Sequence, residues 1–153
     1  YNETMKVALF LASKSDEAHA QKILDLLKEF EVPVETTVAS AHKVPEKVYA
    51  KVEELNGSTE PTVIITCVGL SNGLSGVVAG SSRHPIIACP VFKDNEDYLV
   101  NIHSTLQMPS EVPVMTVLHP KNAALAAIRI LAESDEGLQK KVATRIAEVK
   151  AKY

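Results

Sequence analysis

The sequence predicts a three-layer α/β fold built on a five-stranded parallel sheet, and three observations carry that prediction. Strand-length apolar runs alternate with segments whose apolar residues recur at helical spacing. The runs are near-continuous rather than alternating, the pattern of strands covered on both faces. The chain has 153 residues, the size of one domain with one core, so residues 1–153 are read as a single domain.

The elements follow in order. Lys6 to Ala12, KVALFLA, is the first strand, and Ala20, Ile23, Leu24, Leu27 and Phe30 then mark a helix face. PVETTVAS from Pro33 is the second strand, followed by Val44, Val48, Val52 and Leu55 on one helical face. TVIITCV, PIIACPV and PVMTV supply the third, fourth and fifth strands. Helical stretches are expected from Gly73 to Ser81, from Glu96 to Gln107 and, rich in Ala, Leu and Ile, from Asn122 to Ala132. An extra C-terminal helix, residues 137–152, carries a narrow stripe of Leu138, Val142, Ile146 and Val149. It lies beyond the five strand and helix units, so the stripe is expected to pack on a neighbouring subunit; packing on its own core is the alternative. Residues 1–4 precede Met5 and read as an appended remnant or as an extended native N-terminus.

Composition narrows the function classes. A net charge of −3 offers no basic field for nucleic acid. No apolar run exceeds six residues, against the roughly 20 a membrane-spanning helix needs. With no signal-peptide pattern, a soluble cytoplasmic protein is expected. Cys67 and Cys89 each close an apolar run outside any CxxC spacing and read as buried free thiols.

In a parallel α/β sheet, ligands bind beyond the carboxyl ends of the strands, near the point where strand order reverses. Three consecutive strand ends here carry polar or glycine-rich turns: Ser13-Lys14-Ser15-Asp16, Ser40-Ala41-His42-Lys43, and the loop from Gly69 to Gly76. Each has a bland reading. Ser13 with Asp16 is also a capping box, the glycines permit a tight turn, and His42 beside Pro45 suits a surface turn. Together they suit a sugar phosphate. The Ser13 and Ser15 hydroxyls and the first amides of a helix bind phosphate, Lys43 adds a positive charge, and the Asp16 carboxylate can accept two hydrogen bonds from a ribose diol. His42 is the one group among them able to take and return a proton near neutrality.

Ser-Lys-Ser-Asp, Ser-Ala-His-Lys, the Gly69–Gly76 loop, Gln107-Met108-Pro109 and the Ala-rich helix from Asn122, in that order over about Met5 to Leu138, resemble the phosphoribosylaminoimidazole carboxylase family of purine biosynthesis. The resemblance implies a flavodoxin-like three-layer sandwich and action on aminoimidazole ribonucleotide (AIR), with a carboxylate placed at ring carbon 4. It implies no metal, biotin or nicotinamide, and a symmetric homo-oligomer such as a tetramer or octamer. It would put Ser13, Ser15 and Lys43 near the 5′-phosphate, Asp16 at the ribose, and Ser40 and His42 beside the imidazole. Met108 and Pro109 become candidates for a pocket wall supplied by a neighbouring subunit.

Two chemistries divide that family. The mutase type, which moves a carboxylate from the exocyclic nitrogen to carbon 4, typically carries a Gly-Gly-Ala-Ala-His-Leu-Pro-Gly loop whose histidine aligns with Gly73. Here Gly69-Leu70-Ser71-Asn72-Gly73-Leu74 resembles the loop of direct, CO2-using carboxylases, and Lys43 stands where mutases usually have arginine. Ala12, where the family often has glycine, is a departure beside the phosphate turn. For the direct reaction His42 is the expected base. Amides from Ser71 to Gly73 and the Asn72 side chain are the expected carboxylate donors, with Leu74 as an apolar wall. His19, His84, His103 and His119 lack spaced ligand partners, and a metal site is not expected. A flavin-binding module is the rival on the same fold. It is disfavoured by the absence of tryptophan and of any tyrosine in the three loops. A phosphoryl-acceptor domain is disfavoured because the first strand ends in Ser-Lys-Ser-Asp rather than an acidic pair.

Overall fold

Valine, leucine and phenylalanine side chains bury β1 (Lys6–Leu11) from Val7 onward. It lies between β2 (Val34–Val38) and β3 (Thr62–Cys67), and β4 (Ile86–Ala88) and β5 (Met115–Thr116) complete the sheet. The computed structural model describes residues 4–153, and of the residues 1–4 set apart in the sequence, 1–3 lie outside the described residues. All pairings are parallel and the order is β2-β1-β3-β4-β5. This is the flavodoxin-like arrangement, with its switch point between β1 and β3.

The continuous apolar strands feed two cores because successive side chains point to opposite faces. On one face Val7, Leu9, Val63, Ile65 and Ile87 pack against α1 (Glu17–Glu29) and α6 (Pro120–Ala132). On the other, Ala8, Phe10, Ile64 and Ile86 meet α2 (Pro45–Gly57) and α3 (Gly73–Ser81). The predicted helix after β4 is two short ones, α4 (Asn95–Asn101) and α5 (His103–Leu106). β2 departs from the buried pattern because it is an edge: Val34 is 38% exposed. Beside it, Glu35 bridges Lys6 and Lys51, charges that blunt an edge against pairing with another chain.

The C-terminal stripe on α7 (Glu136–Lys150) divides. Leu138 joins the core and Val142 packs against it. Lys141 and Arg145 pair with Glu31 and Glu29 at the end of α1, and the Arg145 guanidinium lies over the Phe30 ring at 5.2 Å. Only Ile146 and Val149, 37% and 46% exposed, face outward. The first half of the helix therefore belongs to its own subunit. Among the described residues no helix is long and apolar enough to cross a membrane.

Candidate active site

The strand-end turns expected to converge do so, around an open cleft of about 580 Å³ at the switch point. The first turn, a 3₁₀ turn over Lys14–Asp16, is held by the capping box read from the sequence. The Ser13 N–H donates to Asp16 Oδ2 at 2.9 Å, and Ser13 Oγ accepts the Ser15 N–H at 3.3 Å and lies 3.1 Å from Ser15 Oγ. The structural and ligand-binding readings of this turn coexist, since Ser13, Ser15 and Asp16 all line the cleft. Asp16 is only 6% exposed. Burial pushes its carboxyl above the ordinary range, against the pull of the Ser13 N–H and nearby His19.

The second turn explains the crowded Ser40–Lys43 sequence. Ser40 Oγ accepts the Lys43 N–H at 3.3 Å and Ser40 C=O accepts the Val44 N–H at 2.9 Å. That closed turn carries His42 and Lys43 into the cleft wall, and Pro45 then starts α2, where its missing N–H costs nothing.

At the third turn the chain comes against His42. A Cβ placed on Gly73 would sit 2.5 Å from His42 Nε2 and 2.9 Å from Cε1, closer than real side chains approach. Gly73 is therefore the floor on which the imidazole rests. Gly69 and Ser71 line the cleft as expected, and Leu70 between them, at φ 58° and 65% exposed, lines it too.

Two expected roles are corrected. The Asn72 side chain is not available as a carboxylate donor: Oδ1 accepts the Ser75 N–H at 3.0 Å, capping α3, and Nδ2 donates to Thr105 Oγ1 at 2.9 Å. Its backbone N–H goes to Ser104 Oγ and that of Gly73 to Ser71 C=O, which leaves Ser71 as the loop's polar residue at the cleft. Leu74 is not a cleft wall either; at 1% exposure it fills the core beside Phe10 and Val78. Met108 lies against its own chain, next to Gly76 on α3.

The turn after β4 was missed. Val91, Lys93 and Asp97 complete the cleft, and Asp97 accepts the Lys93 N–H at 2.8 Å and the Asn101 Nδ2 at 2.6 Å. Those bonds, the Lys93 N–H foremost, hold its carboxyl below the usual range. The signal was present: the rule that picks strand ends applies equally to Val91-Phe92-Lys93-Asp94.

A family model described as AIR carboxylase matches residues 6–152. The chain belongs to the AIR carboxylase family. It is 41% identical over 140 residues to the phosphoribosylaminoimidazole carboxylase of Archaeoglobus fulgidus, covering 92% of this chain and 76% of that one. It is also 41% identical over 138 residues to the N5-carboxyaminoimidazole ribonucleotide mutase of Methanocaldococcus jannaschii, covering 89% and 85%. The crystal structure of Treponema denticola PurE superposes with a TM-score of 0.89 at 37% identity, over 95% of this chain and 92% of that one. Overall identity thus places the chain in the family without separating its two chemistries, and the local geometry at Gly73 and His42 has to do so.

Proposed function

We propose that this protein is a direct AIR carboxylase, adding CO2 to carbon 4 of 5-aminoimidazole ribonucleotide to give the 4-carboxy product in de novo purine biosynthesis. The observation that carries the reading is the His42 imidazole resting on Gly73 at the cleft: one proton acceptor, occupying the space that a side chain at position 73 would need. Ser13 and Ser15 suit the 5′-phosphate together with Lys43, and Asp16 suits the ribose. The added cation Lys93 lies on the same cleft wall as Asp97.

The chemistry asks little of the protein beyond confinement and one base. The 5-amino group of AIR pushes electron density to carbon 4, which attacks CO2 and forms the carbon–carbon bond. The ring then loses its carbon 4 proton to His42 and regains aromaticity, and His42 returns the proton to water. Atoms and charge balance as AIR and CO2 giving carboxylated product and one proton. Ser71 is the loop residue suited to steady the new carboxylate, with Ser40 beside His42 holding the turn.

The mutase is the second reading, favoured by the 41% identity to the Methanocaldococcus protein of that name. The deciding experiment supplies the N-carboxylated isomer while free CO2 is continuously removed. A direct carboxylase converts it no faster than its spontaneous decarboxylation, whereas efficient conversion would establish a mutase. The protein is further proposed to work in the cytoplasm as a symmetric homo-oligomer. Support for assembly comes from Leu99, Val100 and Leu106, each more than half exposed along α4 and α5, an apolar surface of the kind that marks an interface.

A further inference from the structure

The sheet brings together what the sequence keeps apart. Cys67 ends β3, Cys89 follows β4, and His19 lies in the first turns of α1. Parallel pairing continues from Thr66 and Ala88, with the Cys89 N–H donating to Thr66 C=O at 2.8 Å, so the two cysteines stand side by side. Their sulfurs and a ring nitrogen of His19 all lie within 4.8 Å of one another, the one such group of three among the described residues. Both cysteines are fully buried and free. Nothing in the proposed carboxylation uses any of the three.

We infer that His19, Cys67 and Cys89 form a binding site for a tetrahedral, thiophilic divalent cation of the zinc type. The spacing supports it quantitatively. Zinc–sulfur bonds of about 2.3 Å and zinc–nitrogen or –oxygen bonds of about 2.1 Å give ligand-to-ligand edges of roughly 3.6 Å around a tetrahedron. His19 Nε2 is 3.4 Å from Cys89 Sγ, and the Leu118 carbonyl oxygen is 3.7 Å from the same sulfur. Those two edges match a tetrahedron, and the Cys67 sulfur lies within 4.8 Å of both the Cys89 sulfur and the His19 ring nitrogen, close enough to join the same ion. Charge also closes: two thiolates and a neutral imidazole cancel a dication, which a buried position requires. His19 is only half-buried and gives the ion a way in. An ion here would tie the first turns of α1 to the ends of β3 and β4, directly behind the Ser13–Asp16 turn.

The test needs no enzymatic activity and does not depend on the proposed reaction. The reduced full-length chain is titrated with Co2+ and then with Zn2+. The expected result is a thiolate-to-cobalt charge-transfer band with tetrahedral d–d absorption, saturating at one ion per chain and erased by Zn2+. Cys89→Ser should abolish the band, and His19→Ala should weaken Co2+ binding at least tenfold, while His103→Ala changes neither. Should Cys89→Ser fail to fold by circular dichroism, His19→Ala on the helix surface decides the matter. Absence of the charge-transfer band, or a band that His19→Ala leaves at full strength and affinity, would overturn the site.

Discussion

Gly73→Ala isolates the geometry on which the functional reading rests. The added Cβ would stand 2.5 Å from His42 Nε2, whereas unstrained heavy atoms keep about 3.5 Å. The imidazole must therefore retreat by about 1 Å, and the turn carrying it is at the surface, so it can. A misplacement of that size costs on the order of 10²-fold in turnover, or about 2.7 kcal/mol of transition-state stabilisation. The backbone does not object: Gly73 is the first residue of α3 and its φ is not positive. Alanine in a helix is favoured over glycine by up to about 1 kcal/mol, so the melting temperature should hold or rise slightly. Steady-state carboxylation at saturating AIR and CO2 reads the turnover, and calorimetry reads nucleotide affinity, which should stay within a few-fold because the phosphate turn is untouched. Gly80→Ala on the same helix is the control, since an added Cβ there meets nothing within 4 Å. A folded Gly73→Ala enzyme with turnover within threefold of the parent would show that His42 does not act from this position.

Three further outcomes are expected. His42→Asn should bind nucleotide normally but lose ~10² to 10⁴ in turnover, the usual share of a general base; a near-normal rate excludes it. Asn72→Ala should destabilise the fold by about 1–2 kcal/mol through loss of the α3 cap and the Thr105 bond, as measured by urea denaturation. If Asn72 instead met the carboxylate, turnover would fall with stability intact. For Asp16, burial raises the folded carboxyl above its ordinary 3.8, so the unfolded chain releases this proton first and stability is lost as pH climbs through that window. Asp16→Asn, which keeps an acceptor for the Ser13 N–H, should therefore be more stable than the parent at pH 7 and approach it below pH ~4, where both states are protonated. A stability difference that does not change with pH would show that the carboxyl's burial is not the cause. Nucleotide affinity of the same variant should fall.

The fold was legible because continuous apolar runs and helical spacings are properties of the chain itself. The sheet order became readable only through the resemblance, yet the strands and helices were found within a few residues, save that the one helix expected after β4 is two. The site was legible wherever a strand end carried unusual chemistry, as at Ser13–Asp16 and Ser40–Lys43. It failed at Asn72 and Leu74 for a reason that sequence does not encode. A residue one or two places into a loop-to-helix junction can face the ligand or the core, and only the packing of Thr105, Phe10 and Val78 decides which. The His19, Cys67 and Cys89 cluster was invisible for a related reason. Metal-ligand spacing rules assume that ligands are near in sequence, whereas parallel strands bring together residues 22 apart, with a helix returning a third from 48 residues earlier.

Position 73 also bears on why one fold would run two reactions. In the geometry seen here the imidazole of His42 occupies the volume directly above the Gly73 Cα, so no side chain can be added there while His42 keeps its place. A histidine at 73 would thus require the His42 imidazole to shift, so the two arrangements differ in where this base stands. Moving a carboxylate from nitrogen to carbon needs a proton delivered to the nitrogen as well as one withdrawn from carbon 4, which a single imidazole can do only by carrying the proton between the two atoms. Capture of free CO2 needs the withdrawal alone. With Asn72 committed to capping and Ser71 a poor proton carrier near neutrality, the third loop adds no proton carrier beside the His42 imidazole, which matches the demand of the direct reaction.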